Sequence, residues 1–126
     1  MKHFIDINNF KKTEIDEIIS LAKKIKKNPK KYSSSCKNKT LGLIFEKQSL
    51  RTRLSFNVGM QKLGGSVLEL QSKDIGFDNK REKSKDVLNV LRQYIDCVMI
   101  RNNNHKEIEN LSKENILHLA RIKPLV

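Results

Sequence analysis

Ser49-Leu50-Arg51-Thr52 brings two hydroxyls and a guanidinium together within four residues, a donor set suited to an oxyanion. The apolar run Leu41 to Phe45 leads into it, and a helix-period segment follows as far as Gly64-Gly65. The pattern predicts a strand that delivers these residues to the first turn of a helix. First-turn N–H groups have no partner inside the helix, and the helix dipole adds partial positive charge there. Such a position is ready to hold an anion. With Ser49 as N-cap, the amides of Leu50, Arg51 and Thr52 face the ligand. The Ser49 and Thr52 hydroxyls can donate to phosphate oxygens, and the planar fork of Arg51 can take an oxyanion or a carbonyl. An isolated S-x-R-T is more often an ordinary helix cap with solvated arginines, since caps far outnumber phosphate sites. The surrounding string shifts the balance.

That string is Phe45, Ser49, Leu50, Arg51, Thr52, Arg53, Ser55, Phe56 and Asn57. It resembles the carbamoyl-phosphate signature of the aspartate/ornithine carbamoyltransferases, close to F-x-x-x-S-T-R-T-R-x-S-F-E. Leu50 stands where that family usually has Thr, and Asn57 where it usually has Glu. Leu50 removes one hydroxyl and keeps the backbone N–H, so it weakens the cradle without abolishing it. The opening Phe45-Glu46-Lys47 is more similar to ornithine than to aspartate enzymes. Gln61-Lys62-Leu63-Gly64-Gly65 resembles the family's Q-L-G-G helix end, and Gln93 to Arg101 its R-Y-x-D-x-x-x-x-R strand. The resemblance covers roughly residues 1 to 117 and makes Arg101 the second arginine on the phosphorylated donor. Without it, Arg101 is a solvated strand-end arginine.

The resemblance implies carbamoyl transfer. Ser49, the Leu50 amide, Arg51, Thr52 and Arg101 would bind carbamoyl phosphate, with Arg51 and Arg101 also polarising the carbonyl region. An ornithine amine would attack through a tetrahedral intermediate, giving citrulline and phosphate, by positioning and electrostatic preorganisation. No metal and no cofactor are implied. The family works as a homotrimer, in the cytoplasm, in arginine biosynthesis. Acetylornithine and putrescine are alternative acceptors. A non-catalytic binding or assembly module of the same fold is another reading.

Length and motifs set expectations of a different kind. The 126 residues suffice for one domain with a real core. They contain none of the second-domain motifs H-P-x-Q, D-G-x-N-N or H-C-L-P. The expectation is a carbamoyl-phosphate-binding domain over 1–126, truncated or frame-shifted after Leu117, over His118 to Val126, without the amino-acid-binding domain and inactive alone. His118 lacks a following Pro-x-Gln and is not the missing histidine. His105, at the start of an expected helix, reads as a cap or surface group. The three scattered histidines offer no metal-ligand spacing.

Charge is the strongest compositional signal, +12 from 26 Lys+Arg against 14 Asp+Glu. On its own it suggests nucleic acid or an acidic membrane surface. The densest run, Lys23 to Lys31, also fits lysines complementing a helix C-terminus. The chain is rich in Lys, Asn and Ile throughout, and no zinc-finger, recognition-helix or RNP-type pattern supports a base reader. A nucleic-acid partner is therefore not expected. No segment approaches the length of a bilayer span. Cys36 and Cys97 form no C-x-x-C, which suits a reducing cytosol, with Cys97 a buried thiol in the run Ile95 to Ile100.

The elements that must position the site alternate in type. Thr13 is expected to cap a helix through Ile25, with Asp16 in the box position and Asn28-Pro29 as the stop. A polar connector over 30–40, a strand over Leu41 to Glu46, a helix over Leu50 to Leu63 and a strand over Ser66 to Gln71 follow. That second helix should bury Leu54, Phe56, Val58, Met60 and Leu63, and Gly64-Gly65 should end it in the left-handed region. A helix over Ser84 to Tyr94 should bury Val87, Val90, Leu91 and Tyr94. A central strand over Ile95 to Ile100, a helix over Lys106 to Ser112 and a strand over Asn115 to Leu119 complete the chain. The fold class expected is α/β, a parallel sheet of about four strands flanked by helices in three layers, Rossmann-like by the resemblance. Ligands in such sheets lie beyond the strand C-terminal ends, where Phe45–Thr52 and Arg101 both fall. In the family the loop matching residues 72–82 is lent to a neighbouring subunit. Here it offers Lys80 and Arg81 in place of the usual Gln or Lys, or is a plain surface loop.

Overall fold

Four parallel strands form the centre of the protein. The structure, a computed structural model, describes residues 2–46, 49–71, 84–102 and 104–122. The strands are β1 (Thr40–Phe45), β2 (Ser66–Gln71), β3 (Cys97–Arg101) and β4 (His118–Ile122), in the order β2-β1-β3-β4. The helices are α1 (Lys12–Lys27), α2 (Leu50–Lys62), α3 (Ser84–Leu91) and α4 (His105–Lys113). The register sets Phe45 opposite both Gln71 and Arg101, and Arg101 opposite Ile122, so the strands finish together along one rim. The apolar runs of β1 and β3 make these the inner strands, as buried parallel strands require.

Strand alternation divides the core between two faces. Ile44, Val98, Ile100 and Leu119 pack with Val87, Leu88 and Leu91 of α3 and with Ile108 and Leu111 of α4. Leu43, Phe45 and Met99 point the other way, toward Phe56 of α2. This is the three-layer arrangement anticipated from the α/β alternation. At the opposite end of the sheet Thr40 N–H donates to the Asp96 carboxylate at 2.9 Å, and Asp96 N–H donates to the Thr40 carbonyl at 2.9 Å.

Several expectations need correction. α1 begins at Lys12 with Lys11 as N-cap, and the Lys11 N–H donates to Glu14 at 3.0 Å. The capping carboxylate is therefore Glu14 rather than Asp16. The connector after α1 contains a 3-10 turn, Pro29–Tyr32. β1, β3 and β4 are each displaced from the expected bounds, β4 by about three residues, because pairing to neighbours decides where a strand begins. α3 stops at Leu91, before Tyr94, which is 71% exposed; within the helix Val90 is 52% exposed while Leu88 is fully buried. α2 buries no residue fully; Leu54 and Val58 remain exposed, at 49% and 44%. It covers the sheet chiefly through Phe56. Gly64 does end α2 with φ +86°, and a Cβ there would lie 2.5 Å from the Ser33 carbonyl oxygen.

Candidate functional site

The rim is built by β1, β3 and the start of α2. Ser49 is extended (φ −141°, ψ 112°) and α2 begins at Leu50. The Ser49 carbonyl accepts the first intrahelical bond, from Arg53 N–H at 3.0 Å, which leaves the amides of Leu50, Arg51 and Thr52 without helical acceptors. The Ser49 side chain makes no cap bond to them. Its hydroxyl donates to Thr52 Oγ1 at 3.1 Å instead. An ordinary serine cap accepts from one of these amides; among the described residues this one accepts from none of them.

Arg101 reaches the same turn from β3. Its carbonyl accepts Glu46 N–H at 3.0 Å, continuing the β1–β3 ladder past Phe45. Its side chain lies on the α2 face, and Nη1 donates to Thr52 Oγ1 at 3.2 Å. A hydroxyl has two acceptor positions and one proton. Both acceptor positions of Thr52 are taken, by Ser49 and Arg101, so its own O–H is left to donate. Arg101 Nε is buried without an acceptor among the described residues. Among the described residues the arrangement therefore offers uncommitted donors: three amides, the Thr52 hydroxyl and part of a guanidinium. The Arg51 side chain is exposed, Leu50 is 63% exposed, and Arg53 is half-buried.

Sequence reasoning brought Ser49, Leu50, Arg51, Thr52 and Arg101 to one rim, and the structure places them there. It did not foresee that Arg101 and Thr52, 49 positions apart, bond directly. It also missed Asn102, a buried polar residue directly after Arg101, whose Oδ1 accepts Asn104 N–H. The Asn-rich stretch following an apolar strand was the available signal.

Other candidates fall elsewhere. His105 is not the cap of α4; Asn104 is, its Oδ1 accepting Glu107 N–H at 3.1 Å. His105 Nδ1 accepts from Arg121 Nη1 at 3.0 Å, which puts its proton on Nε2, 3.1 Å from Glu109. Arg121 pairs in register with Ile100, so it belongs to the face opposite Arg101. His118 opens β4 at the far end of the sheet and bonds the Lys2 carbonyl at 2.8 Å. Cys97 is half-buried at that same end. Burial pushes its thiol pKa up, a backbone hydrogen bond from Val98 opposes this, and Asp96 adds to the rise. Cys97 thus has neither the position nor the thiolate character of a nucleophile at the rim. Among the described residues no three His, Cys, Asp or Glu side chains form a cation cluster, and no helix is long and apolar enough to cross a membrane. Lys80 and Arg81 lie outside the described residues.

The class this defines is a doubly wound α/β domain whose C-terminal rim presents oxyanion donors from a helix start and a strand-end arginine. Residues 2–122 match the family described as "Aspartate/ornithine carbamoyltransferase, carbamoyl-P binding domain", and the chain belongs to that family. It is 45% identical over 115 residues to the ornithine carbamoyltransferase of Campylobacter fetus, an alignment taking in 90% of this chain and 37% of that protein. The crystal structure of anabolic ornithine carbamoyltransferase from Campylobacter jejuni superposes with a TM-score of 0.87 at 33% identity, over 98% of this chain and 40% of that one. Ornithine carbamoyltransferase from Pyrococcus furiosus gives 0.88 at 32% identity, over 97% and 39%. The chain spans well under half the length of each of these relatives.

Proposed function

We propose that this chain supplies the carbamoyl-phosphate half of a carbamoyltransferase site whose acceptor is ornithine. The observation that carries the reading is the uncapped first turn of α2 joined to Arg101 through Thr52, with Arg101 Nε buried and lacking an acceptor among the described residues. The phosphate sits on the amides of Leu50, Arg51 and Thr52 and receives the Thr52 hydroxyl. The Arg51 and Arg101 guanidiniums flank it and withdraw charge from the carbonyl side. The uncharged acceptor amine attacks the carbonyl carbon, giving a tetrahedral oxyanion. The oxyanion collapses by breaking the bond to the phosphate oxygen, and the amine proton leaves to solvent or a base. Phosphate departs into the donors already holding it, so charge developing on the leaving group is met without reorganisation.

Ornithine is favoured over aspartate by Phe45-Glu46-Lys47 and by the ornithine carbamoyltransferases among the chain's relatives. Acetylornithine and putrescine remain the alternative acceptors, since the acceptor-selecting motifs are not within these 126 residues. For the same reason the 126-residue chain is expected to bind donor with negligible turnover. Homotrimeric assembly, a cytoplasmic setting and a role in arginine biosynthesis complete the proposal. Calorimetry with carbamoyl phosphate tests it: wild type should bind, and Arg51→Ala and Arg101→Ala should each bind at least tenfold more weakly. Equal affinities in all three would remove the site from the rim, and rapid citrulline production by the 126-residue chain would refute the expected inactivity.

A further inference from the structure

The end of the molecule away from the rim carries a second concentration of positive charge. From Ile18 to Phe45 the chain has eight lysines and no Asp or Glu. α1 is acidic at its start, with Glu14, Asp16 and Glu17, and basic at its end, with Lys23, Lys24, Lys26 and Lys27. The following 3-10 turn adds Lys30 and Lys31. A helix C-terminus presents about half a negative charge, which one lysine offsets. Six lysines within residues 23–31 exceed that need several-fold. None of the six takes part in an ion pair among the described residues.

Three of them share a groove. Lys24, Lys27 and Lys31, with Asn28 and Tyr32, line an open cleft of ≈ 520 Å³, and no carboxylate contributes to its wall. Lys24 and Lys27 are three apart in α1 and share one side of it, and Lys31 joins them at the cleft from the 3-10 turn. The Lys31 ammonium stands 5.7 Å from the Tyr32 ring centroid, and both residues line the cleft. The chain passes from Tyr32 to Thr40, the beginning of β1, whereas the candidate site lies past Phe45, the end of β1. The six residues of β1 separate the two regions by roughly 17 Å at strand rise.

We infer that this cleft binds a phosphate chain, as found in a single-stranded nucleic acid or an inorganic polyphosphate. Three compact point charges in one cleft without a carboxylate suit a ligand that carries several phosphates in succession. Lysine ammoniums fix a phosphate backbone without reading bases. That is why the lack of a base-reading motif in the sequence does not weigh against it. The inference is independent of the carbamoyl-phosphate reading.

Fluorescence anisotropy on the full 126-residue chain tests it, with a labelled 12-nucleotide strand and a labelled polyphosphate as separate probes. Neutralising three phosphates of a single strand gives a log–log salt slope of about −2, a loss of about twentyfold in affinity between 50 and 200 mM salt. The triple variant Lys24→Gln/Lys27→Gln/Lys31→Gln should bind at least tenfold more weakly at 50 mM salt. Lys27→Glu alone should bind at least threefold more weakly. Lys113→Gln, at the end of α4, and saturating carbamoyl phosphate should change nothing. Binding of one probe and not the other supports the cleft and identifies the source of the chain. The inference is overturned if neither probe binds at 50 mM salt, if the triple variant and Lys27→Glu bind like wild type, if carbamoyl phosphate displaces the probe, or if polyglutamate of equal charge binds as tightly.

Discussion

Thr52→Val isolates the contact that joins the two halves of the rim. Valine keeps the shape and β-branching of threonine and removes only the hydroxyl that takes bonds from Ser49 at 3.1 Å and Arg101 at 3.2 Å. Each such bond contributes about 1 kcal/mol net, and both lie at a partly exposed rim, so a stability loss of about 1–2 kcal/mol is expected in urea unfolding. The effect on binding is larger. A hydroxyl donating to an ionised phosphate contributes about 1.5–3 kcal/mol, which weakens carbamoyl phosphate binding by about 10- to 150-fold. Thr52 also holds Arg101, so the two should not act independently. Calorimetry on wild type, Thr52→Val, Arg101→Ala and the double variant gives the coupling directly. It should be about 0.5 kcal/mol or more, with the double variant less impaired than the two single losses combined. An affinity for Thr52→Val within twofold of wild type, or strict additivity in the cycle, would refute the shared-donor arrangement.

Three other outcomes follow from the same structure. Leu50→Thr should tighten carbamoyl phosphate binding, measured by calorimetry, by about 2- to 10-fold, the worth of one added hydroxyl bond; because Leu50 is 63% exposed, little packing is lost. Gly64→Ala should destabilise the fold by more than about 1 kcal/mol in urea unfolding, since φ is +86° and the new Cβ would meet the Ser33 carbonyl at 2.5 Å. Cys97 should alkylate slowly until the pH exceeds the ordinary thiol range, followed by mass spectrometry across a pH series, because burial disfavours its thiolate. The linked stability contribution has a definite sign. The folded state keeps the proton longer than the unfolded chain, so the contribution is intact below the unfolded thiol pKa and declines as pH rises through the folded one.

Local signals foretold most of the elements but little of their packing. The apolar run Leu41 to Phe45, the hydroxyl-guanidinium cluster after it and Gly64-Gly65 are each a few residues long, and each specifies its own backbone. The common rim followed from the parallel α/β rule and the central place of β3 from its apolar run, whereas the strand order β2-β1-β3-β4 had no local signal. The faces of α2 and α3 were misjudged. Val58, Val90 and Tyr94 have apolar character, but burial depends on which side meets the sheet, and that is decided by pairing elsewhere in the chain. The strand bounds moved for the same reason. At the site, residue types and the helix start were legible because the anion chemistry of a first turn is local. The Arg101–Thr52 bond was not, since it depends on β1 and β3 lying side by side with Phe45 opposite Arg101. The lysine run was visible from the outset, but only the fold shows three of its members lining one cleft without a carboxylate.

The donor site is tested most directly by following backbone amide resonances of the ¹⁵N-labelled chain as carbamoyl phosphate is added. The amides of Leu50, Arg51 and Thr52 should show the largest saturable downfield shifts, accompanied by the Arg101 Nε–H, with the lysine cleft at Lys24–Tyr32 unmoved. Saturable shifts confined to that cleft or to the opposite end of the sheet, with residues 50–52 unchanged, would contradict the account.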